Sequence, residues 1–161
     1  MPLDGLHISR SLRRTLTSGR FTTSADTDFA GVVAGCADRP GEGTWITPSL
    51  AAAYGRLHEL GLAHAVEVRD RTGTLAGGIY GIALGGAFFG ESMFSRATDA
   101  SKVALVDLCD RLRAGGFRLF DVQVMNPHLA TLGAVPVPRA TFLRALDEAL
   151  AVQGRFRHQD R

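Results

Sequence analysis

The chain has 161 residues and a mass of 17.2 kDa, is 45% hydrophobic and 21% charged, and carries 19 Gly against 6 Pro. That is enough apolar material for one core, and it excludes a disordered or collagen-like polypeptide. Eighteen basic against 16 acidic residues leave a formal net charge of +2, which excludes the general basicity of a dedicated duplex-DNA binder. Every Lys or Arg position except Lys102 is arginine, and arginines cluster at both ends, as Arg10, Arg13, Arg14 and Arg20 near the start and as Arg155, Arg157 and Arg161 at the end. A GC-rich genome produces such a bias, and local Arg clusters also hold phosphate. Two cysteines, no leader-like opening and an apolar stretch at 75–90 broken by six glycines predict a reduced, cytoplasmic protein without membrane contact.

The first helix is expected from Ser9 to about Ser18, with Ser9 as N-cap, Leu12 and Leu16 on one face, arginines on the other and Gly19 as the stop. A second helix is expected from Asp26, with Phe29, Val32, Val33 and Cys36 at helical spacing. The loop 38–44 delivers Trp45, and Thr47-Pro48 opens a third helix carrying Leu50, Tyr54, Leu57 and Leu60, closed by Gly61. From Leu62 the period changes to two: strands at 62–68 and 75–84 form a hairpin across the turn at 70–73, and a third strand follows at 87–94. Glycines at 77, 78, 81, 85 and 86 mark places where another backbone or a ligand comes close. Asp99 is the expected cap of a fourth helix with Val103, Leu105, Leu108, Cys109 and Leu112 on its stripe. A fourth strand is expected at 117–124, a short helix from Asn126-Pro127 to Leu132, and a last helix from Pro138 with Phe142, Leu143, Leu146 and Leu150. Hairpin, strand, helix, strand is the order of an α/β mixed sheet with one crossover, and it resembles the GNAT acyltransferase fold. No repeat or long linker divides the chain, so 1–161 is read as one domain.

Polar residues inside apolar strands mark the chemistry. Glu91 stands between Phe89 and Met93, where a carboxylate must be paired, hydrogen-bonded or facing a cavity. Asp121 and Gln123, two apart on the expected fourth strand, share one face. If the two strands are neighbours, the three side chains converge on a site suited to a cation and to orienting an amine nucleophile. The alternative is structural: Glu91 pairs with Arg96 or Arg118, while Asp121 and Gln123 satisfy backbone at a strand end. His58 reads as a surface residue and His64 as a hydrogen-bonded core histidine. The five histidines and two cysteines do not fall into metal-ligand spacing, and no nucleophile elbow is present. The segment 95–102 lacks the Gly-rich turn that cradles the CoA pyrophosphate in GNAT enzymes, which disfavours CoA as acyl carrier.

Thr44-Trp45-Ile46, Ala53-Tyr54 with 57–61, Ala63-His64 with Glu67, 77–81, 89–95, 100–102, 121–123, His128-Leu129 and 132–134, together with the opening 6–12, resemble the bacterial leucyl/phenylalanyl-tRNA-protein transferase family over roughly residues 6–146. The resemblance implies a GNAT-like catalytic domain without cofactor or metal. It would take Leu, Phe or Met from the 3′ end of aminoacyl-tRNA and place it on the N-terminal Arg or Lys of a protein or peptide, tagging that protein through the N-degron route. It further implies that Asp121 and Gln123 are the catalytic pair and that Glu91 holds the cationic acceptor. By the same resemblance Trp45, Ile79, Phe88, Met93, Leu105 and Leu108 line the pocket for the aminoacyl side chain and terminal adenosine, and Asn126 lies near the ester. Arg10, Arg13 and Arg14 read as tRNA phosphate contacts or as a solvated face, and Ser101-Lys102 as a helix start or a phosphate contact. The sequence departs from the family pattern at Ala65, where a Ser is usual, and at Val68-Arg69, where a Trp is usual. The family's N-terminal domain is expected to be absent. Alternative readings are a tRNA-dependent transferase acting on a small peptide or metabolite amine, a non-catalytic module for cationic N-termini, and an acetyl-CoA transferase.

Overall fold

In a computed structural model, described for residues 1–41 and 43–156, helix α1 (Arg10–Thr17) leads into β1 (Phe21–Ala25), α2 (Phe29–Ala37) and α3 (Pro48–Glu59). The strands β2 (Ala63–Asp70), β3 (Leu75–Leu84) and β4 (Ala87–Ser95) follow, then α4 (Ala100–Ala114), β5 (Leu119–Asp121), α5 (Pro127–Thr131) and α6 (Arg139–Leu150). Arg157 and Arg161 lie outside the described residues. The five strands form one sheet in chain order, antiparallel from β1 to β4, with β5 parallel to β4 across the α4 crossover. This is the mixed α/β class that the order of elements predicts.

Both faces of the sheet are covered, so the central strands are apolar on both sides. Val66, Val68, Ile79 and Phe88 pack with Leu12 of α1 and with Val103, Leu105, Leu108 and Leu112 of α4. Ala63, Ala65 and Tyr80 pack on the opposite side with Phe29, Val32, Val33 and Cys36 of α2 and Tyr54 of α3. The glycines of β3 serve these two layers. A Cβ on Gly77 would stand 2.7 Å from the Ala100 Cβ at the start of α4, and one on Gly78 would stand 2.9 Å from a Val32 methyl of α2. Close helix approach accounts for both positions. Gly77→Ala is therefore expected to destabilise the fold by about 1–3 kcal/mol, because neither Ala100 nor the Phe94 carbonyl can move aside, and a urea unfolding midpoint measures it.

Three expectations change. The segment 21–25 forms the edge strand β1, which its Thr/Ser-rich sequence does not announce because only Ala25 is fully buried. Helix α2 begins at Phe29 and not at Asp26: Asp26 has φ +59° and is tied to β2, while Asp28 caps the helix through Gly31 N–H at 3.0 Å. Asp99 precedes α4 in a left-handed conformation without capping it. Its carboxylate takes Lys102 Nζ at 2.9 Å and Thr15 Oγ1 at 3.3 Å, and the Lys102 ammonium holds the Asp99 carboxyl below its usual range.

Candidate active site

The fourth strand is where the sequence misleads most usefully. It spans only Leu119–Asp121, and its last pairing with β4 is Phe89 opposite Asp121. Asp121 ends it by folding its own side chain back: Oδ1 accepts the Gln123 N–H at 2.8 Å, and Gln123 adopts φ +60°. Gln123 is thus off the strand, and the expected shared strand face of Asp121 and Gln123 is corrected to a tight turn. Beyond this turn the chain leaves β4, and a cavity of about 500 Å³ opens between them. Gly90, Glu91, Ser92 and Met93 line one side of it, and Val122, Gln123, Val124 and Asn126 another. It lies beyond the carboxyl end of β5, at the kind of opening where α/β sheets bind ligands.

Glu91 is aimed by a β-bulge. Tyr80 pairs with Ser92 and Gly81 with Gly90, which leaves Glu91 as the extra residue of β4. Such a bulge breaks alternation and turns a side chain out of its expected place. Glu91 Oε2 accepts the Tyr54 hydroxyl at 2.7 Å, and Oε1 accepts Gln123 Nε2 at 3.0 Å. Burial, together with the Glu91 carboxylate it faces, pushes the Tyr54 phenol well up, so it remains the donor in this contact. The pairing with Arg96 or Arg118 considered above is not formed: Arg96 reaches Asp38 at 3.4 Å and lies over the Phe94 ring.

Gln123 Nε2 also donates to the Gly90 carbonyl at 3.2 Å. A carbonyl can only accept, so this contact fixes which way the amide points. With both N–H groups engaged, Oε1 is the amide's remaining hydrogen-bonding atom. Asp121 itself borders a second cavity, of about 580 Å³, lined also by Leu119, Val135, Val137 and Phe142, while Gln123 borders both. Asp121 and Glu91 therefore do not face one cavity, as the sequence suggested; Gln123 is the side chain between them.

Of the expected pocket residues, Trp45, Ile79, Met93 and Asn126 line the 500 Å³ cavity, with Trp45 half exposed. Asn126 Oδ1 is spent on capping α5 through Leu129 N–H at 2.8 Å. Phe88, Leu105 and Leu108 do not reach the wall: they are buried in the main core, where Phe88 packs edge-on against Phe120 at 5.7 Å. Helical spacing marks a residue as inward-facing without distinguishing core from cavity floor. Two further residues of the site escaped the sequence reading. Tyr54 looked like a core residue of the α3 stripe, and only its hydroxyl hinted otherwise; Arg39 had no local signal.

The remaining chemistry is plain. His64 Nδ1 lies 2.7 Å from Asp26 Oδ2 in the core, and the His58 ring stacks on Phe29 at 4.3 Å, half buried and not simply on the surface. Burial pushes both Cys36 and Cys109 up to about 12, which makes neither a nucleophile. At the β4–α4 turn three amides are engaged: Arg96 N–H donates to Ala76 O at 2.7 Å, Ala100 N–H to Ala97 O at 3.0 Å and Ser101 N–H to Ser95 Oγ at 3.2 Å. No glycine stands at 95–102, and the Asp99 carboxylate of this turn is paired with Lys102.

A family model described as leucyl/phenylalanyl-tRNA protein transferase matches residues 1–147. The chain belongs to this family. A leucyl/phenylalanyl-tRNA--protein transferase of Cereibacter sphaeroides (strain ATCC 17025 / ATH 2.4.3) is 58% identical over 155 residues, covering 96% of this chain and 71% of the relative. The protein of the same name from Rubrobacter xylanophilus is 54% identical over 156 residues, covering 97% of this chain and 81% of the relative. Among solved structures, a ribosomal-protein-alanine N-acetyltransferase from Brucella melitensis biovar Abortus 2308 aligns with a TM-score of 0.45 at 15% identity, covering 86% of this chain and 95% of that one. Among the described residues no helix is long and apolar enough to cross a membrane.

Proposed function

We propose that this member of the leucyl/phenylalanyl-tRNA-protein transferase family moves Leu, Phe or Met from aminoacyl-tRNA onto the N-terminal Arg or Lys of an acceptor, in the cytoplasm, as one catalytic domain. The observation that carries the reading is the Glu91–Gln123 pair on the wall of a cavity that Ile79 and Met93 also line, with the Gln123 carbonyl oxygen uncommitted. The lack of a Gly-rich turn at 95–102 supports a donor other than CoA.

The reaction balances without a cofactor or a covalent enzyme intermediate. The acceptor's neutral α-amine attacks the carbonyl carbon that joins the aminoacyl group to the terminal ribose. The new C–N bond forms, the C–O bond breaks, and one amine proton finally passes to the ribose oxygen that leaves as a hydroxyl. An aminoacyl ester is already reactive towards amines, so the gain comes mainly from placement. Gln123 Oε1 accepts an N–H of the attacking amine and aims its lone pair. Asp121 acts one step away, by holding the Gln123 backbone. Glu91 faces the cationic first side chain of the acceptor, and Ile79 and Met93 receive the apolar aminoacyl side chain. One methylene in such a pocket discriminates by only about 1–3 kcal/mol, so the preference among Leu, Phe and Met is graded.

The test is transfer of radiolabelled Leu or Phe from tRNA to a peptide that begins with Arg. Product is expected with tRNA as donor, and acetylation from acetyl-CoA instead would overturn the reading. Glu91→Gln keeps the shape of the Tyr54 contact and removes the charge, so KM for the Arg peptide is expected to rise about tenfold. A peptide with citrulline in first place should then do as well as the Arg peptide; an unchanged Arg preference would remove Glu91 from acceptor recognition.

A further inference from the structure

The same cavity holds a positive group that the transfer mechanism does not use. Arg39 and Trp45 both come from the connection between α2 and α3, and both line the cavity that Glu91 and Gln123 border. Arg39 is exposed, and its Nε donates to the Cys36 carbonyl in a long contact of 3.4 Å, on the inner edge of the guanidinium. Among the described residues no other hydrogen bond or ion pair engages it, since its neighbour Asp38 is taken by Arg96 at 3.4 Å. Its two outer nitrogens are left as a pair of parallel donors.

We infer that Arg39 binds the phosphate on the 5′ side of the terminal nucleoside of the RNA donor, an assignment that rests on the aminoacyl-tRNA reading. A cavity that took only a cationic acceptor would lose by carrying a guanidinium, because the two positive charges repel. A phosphodiester reverses the sign of that term, and the guanidinium fork matches two phosphate oxygens. Trp45 supplies the second half of a nucleotide site. Its indole is 49% exposed in the same loop, which is costly for so large an apolar surface and suits stacking with a base. Glu91 and Arg39 thus sort the two substrates by charge within one cavity: the carboxylate takes the cationic acceptor and the guanidinium the anionic donor.

Trp45 is the sole tryptophan, so its fluorescence reports occupancy directly. Titration of the full chain with adenosine and with adenosine 5′-monophosphate is expected to show the monophosphate binding about tenfold more tightly. Arg39→Ala should abolish that advantage while leaving adenosine binding unchanged, and Arg39→Lys should restore part of it as a point charge without the fork. In transfer, Arg39→Ala should raise KM for aminoacyl-tRNA about tenfold and leave KM for aminoacyl-adenosine, which lacks the phosphate, within twofold. A wild-type protein with no preference for the monophosphate overturns the assignment. So does an Arg39→Ala protein that keeps the preference, or one that loses both ligands equally. Absence of transfer from either donor would strike the aminoacyl-tRNA reading alone, because the fluorescence titration decides Arg39 without catalysis.

Discussion

Gln123→Ala is expected to lower kcat for transfer from leucyl-tRNA to an Arg-starting peptide by about 10²–10³-fold, the range for loss of one positioned hydrogen-bonding group at a reacting nitrogen. The physical reason is specific to the amide. Its two N–H groups are held by Glu91 at 3.0 Å and by the Gly90 carbonyl at 3.2 Å, which turns Oε1 to the amine. Gln123→Glu, nearly the same shape, is expected to be as poor, because it places a second carboxylate against Glu91 and loses both donors. The partner residue separates two mechanisms. If Asp121 works by accepting the Gln123 N–H at 2.8 Å, Asp121→Asn keeps that acceptor and should cost about threefold, whereas Asp121→Ala frees a strained φ of +60° and should cost at least tenfold. Equal losses from Asn and Ala would show that the charge of Asp121 matters and that its role is not positioning. Single-turnover rates with preformed aminoacyl-tRNA make the comparison free of donor binding.

The largest effect on stability is expected at Glu67, a fully buried carboxylate of β2. It accepts Ser24 Oγ at 2.8 Å, Thr27 Oγ1 at 3.1 Å and the Asp28 backbone N–H at 3.0 Å. Ser24 is the cross-strand neighbour of Glu67 on β1, and Thr27 and Asp28 belong to the β1–α2 connection, which Asp26 ties to β2 a few residues away through Ala65 N–H at 2.8 Å. Glu67→Ala opens a hole at a fully buried position and takes the acceptor from the half-buried Ser24 hydroxyl and Asp28 N–H, and is expected to cost about 2–4 kcal/mol. For a chain of this length that lowers Tm by roughly 10 °C. Glu67→Gln keeps one acceptor oxygen but turns an N–H₂ towards the same donors, so an intermediate loss of about 1–3 kcal/mol is expected. A Tm unchanged in Glu67→Ala would show that water replaces the carboxylate. Loss of this clamp should also reach the active site, because α2 leads directly into the loop that carries Arg39 and Trp45.

The helices were legible because each carries its own signals. Ser9, Thr47 with Pro48, and Asn126 with Pro127 cap α1, α3 and α5 by contacts within three residues, at 3.2, 3.3 and 2.8 Å. The hairpin of β2 and β3 was legible from its period and from the turn at 70–73. What failed were elements whose partners are distant in sequence. β1 looks polar because its stability comes from pairing with β2 and from Glu67 and not from its own apolar residues. The strand 117–124 ran too long because the apolar alternation of Val122 and Val124 continues past the point where Asp121 breaks the ladder.

By itself the sequence determined the mixed α/β class, singled out Glu91, Asp121 and Gln123 as candidates, and carried a resemblance to one family; all of these rest on residue types and short spacings, which are local information. The tertiary structure decided how those residues relate. A bulge at Glu91 and a turn at Gln123, set by pairing between β3, β4 and β5, put Gln123 on the wall of both cavities and leave Asp121 on only one of them. It also decided that Phe88, Leu105 and Leu108 are core, because inward-facing positions on a strand or helix look alike until the opposing layer shows whether protein or open cavity meets them. Arg39 came to this cavity for the same reason: its place there comes entirely from the loop that brings it to the wall Trp45 and Glu91 also line.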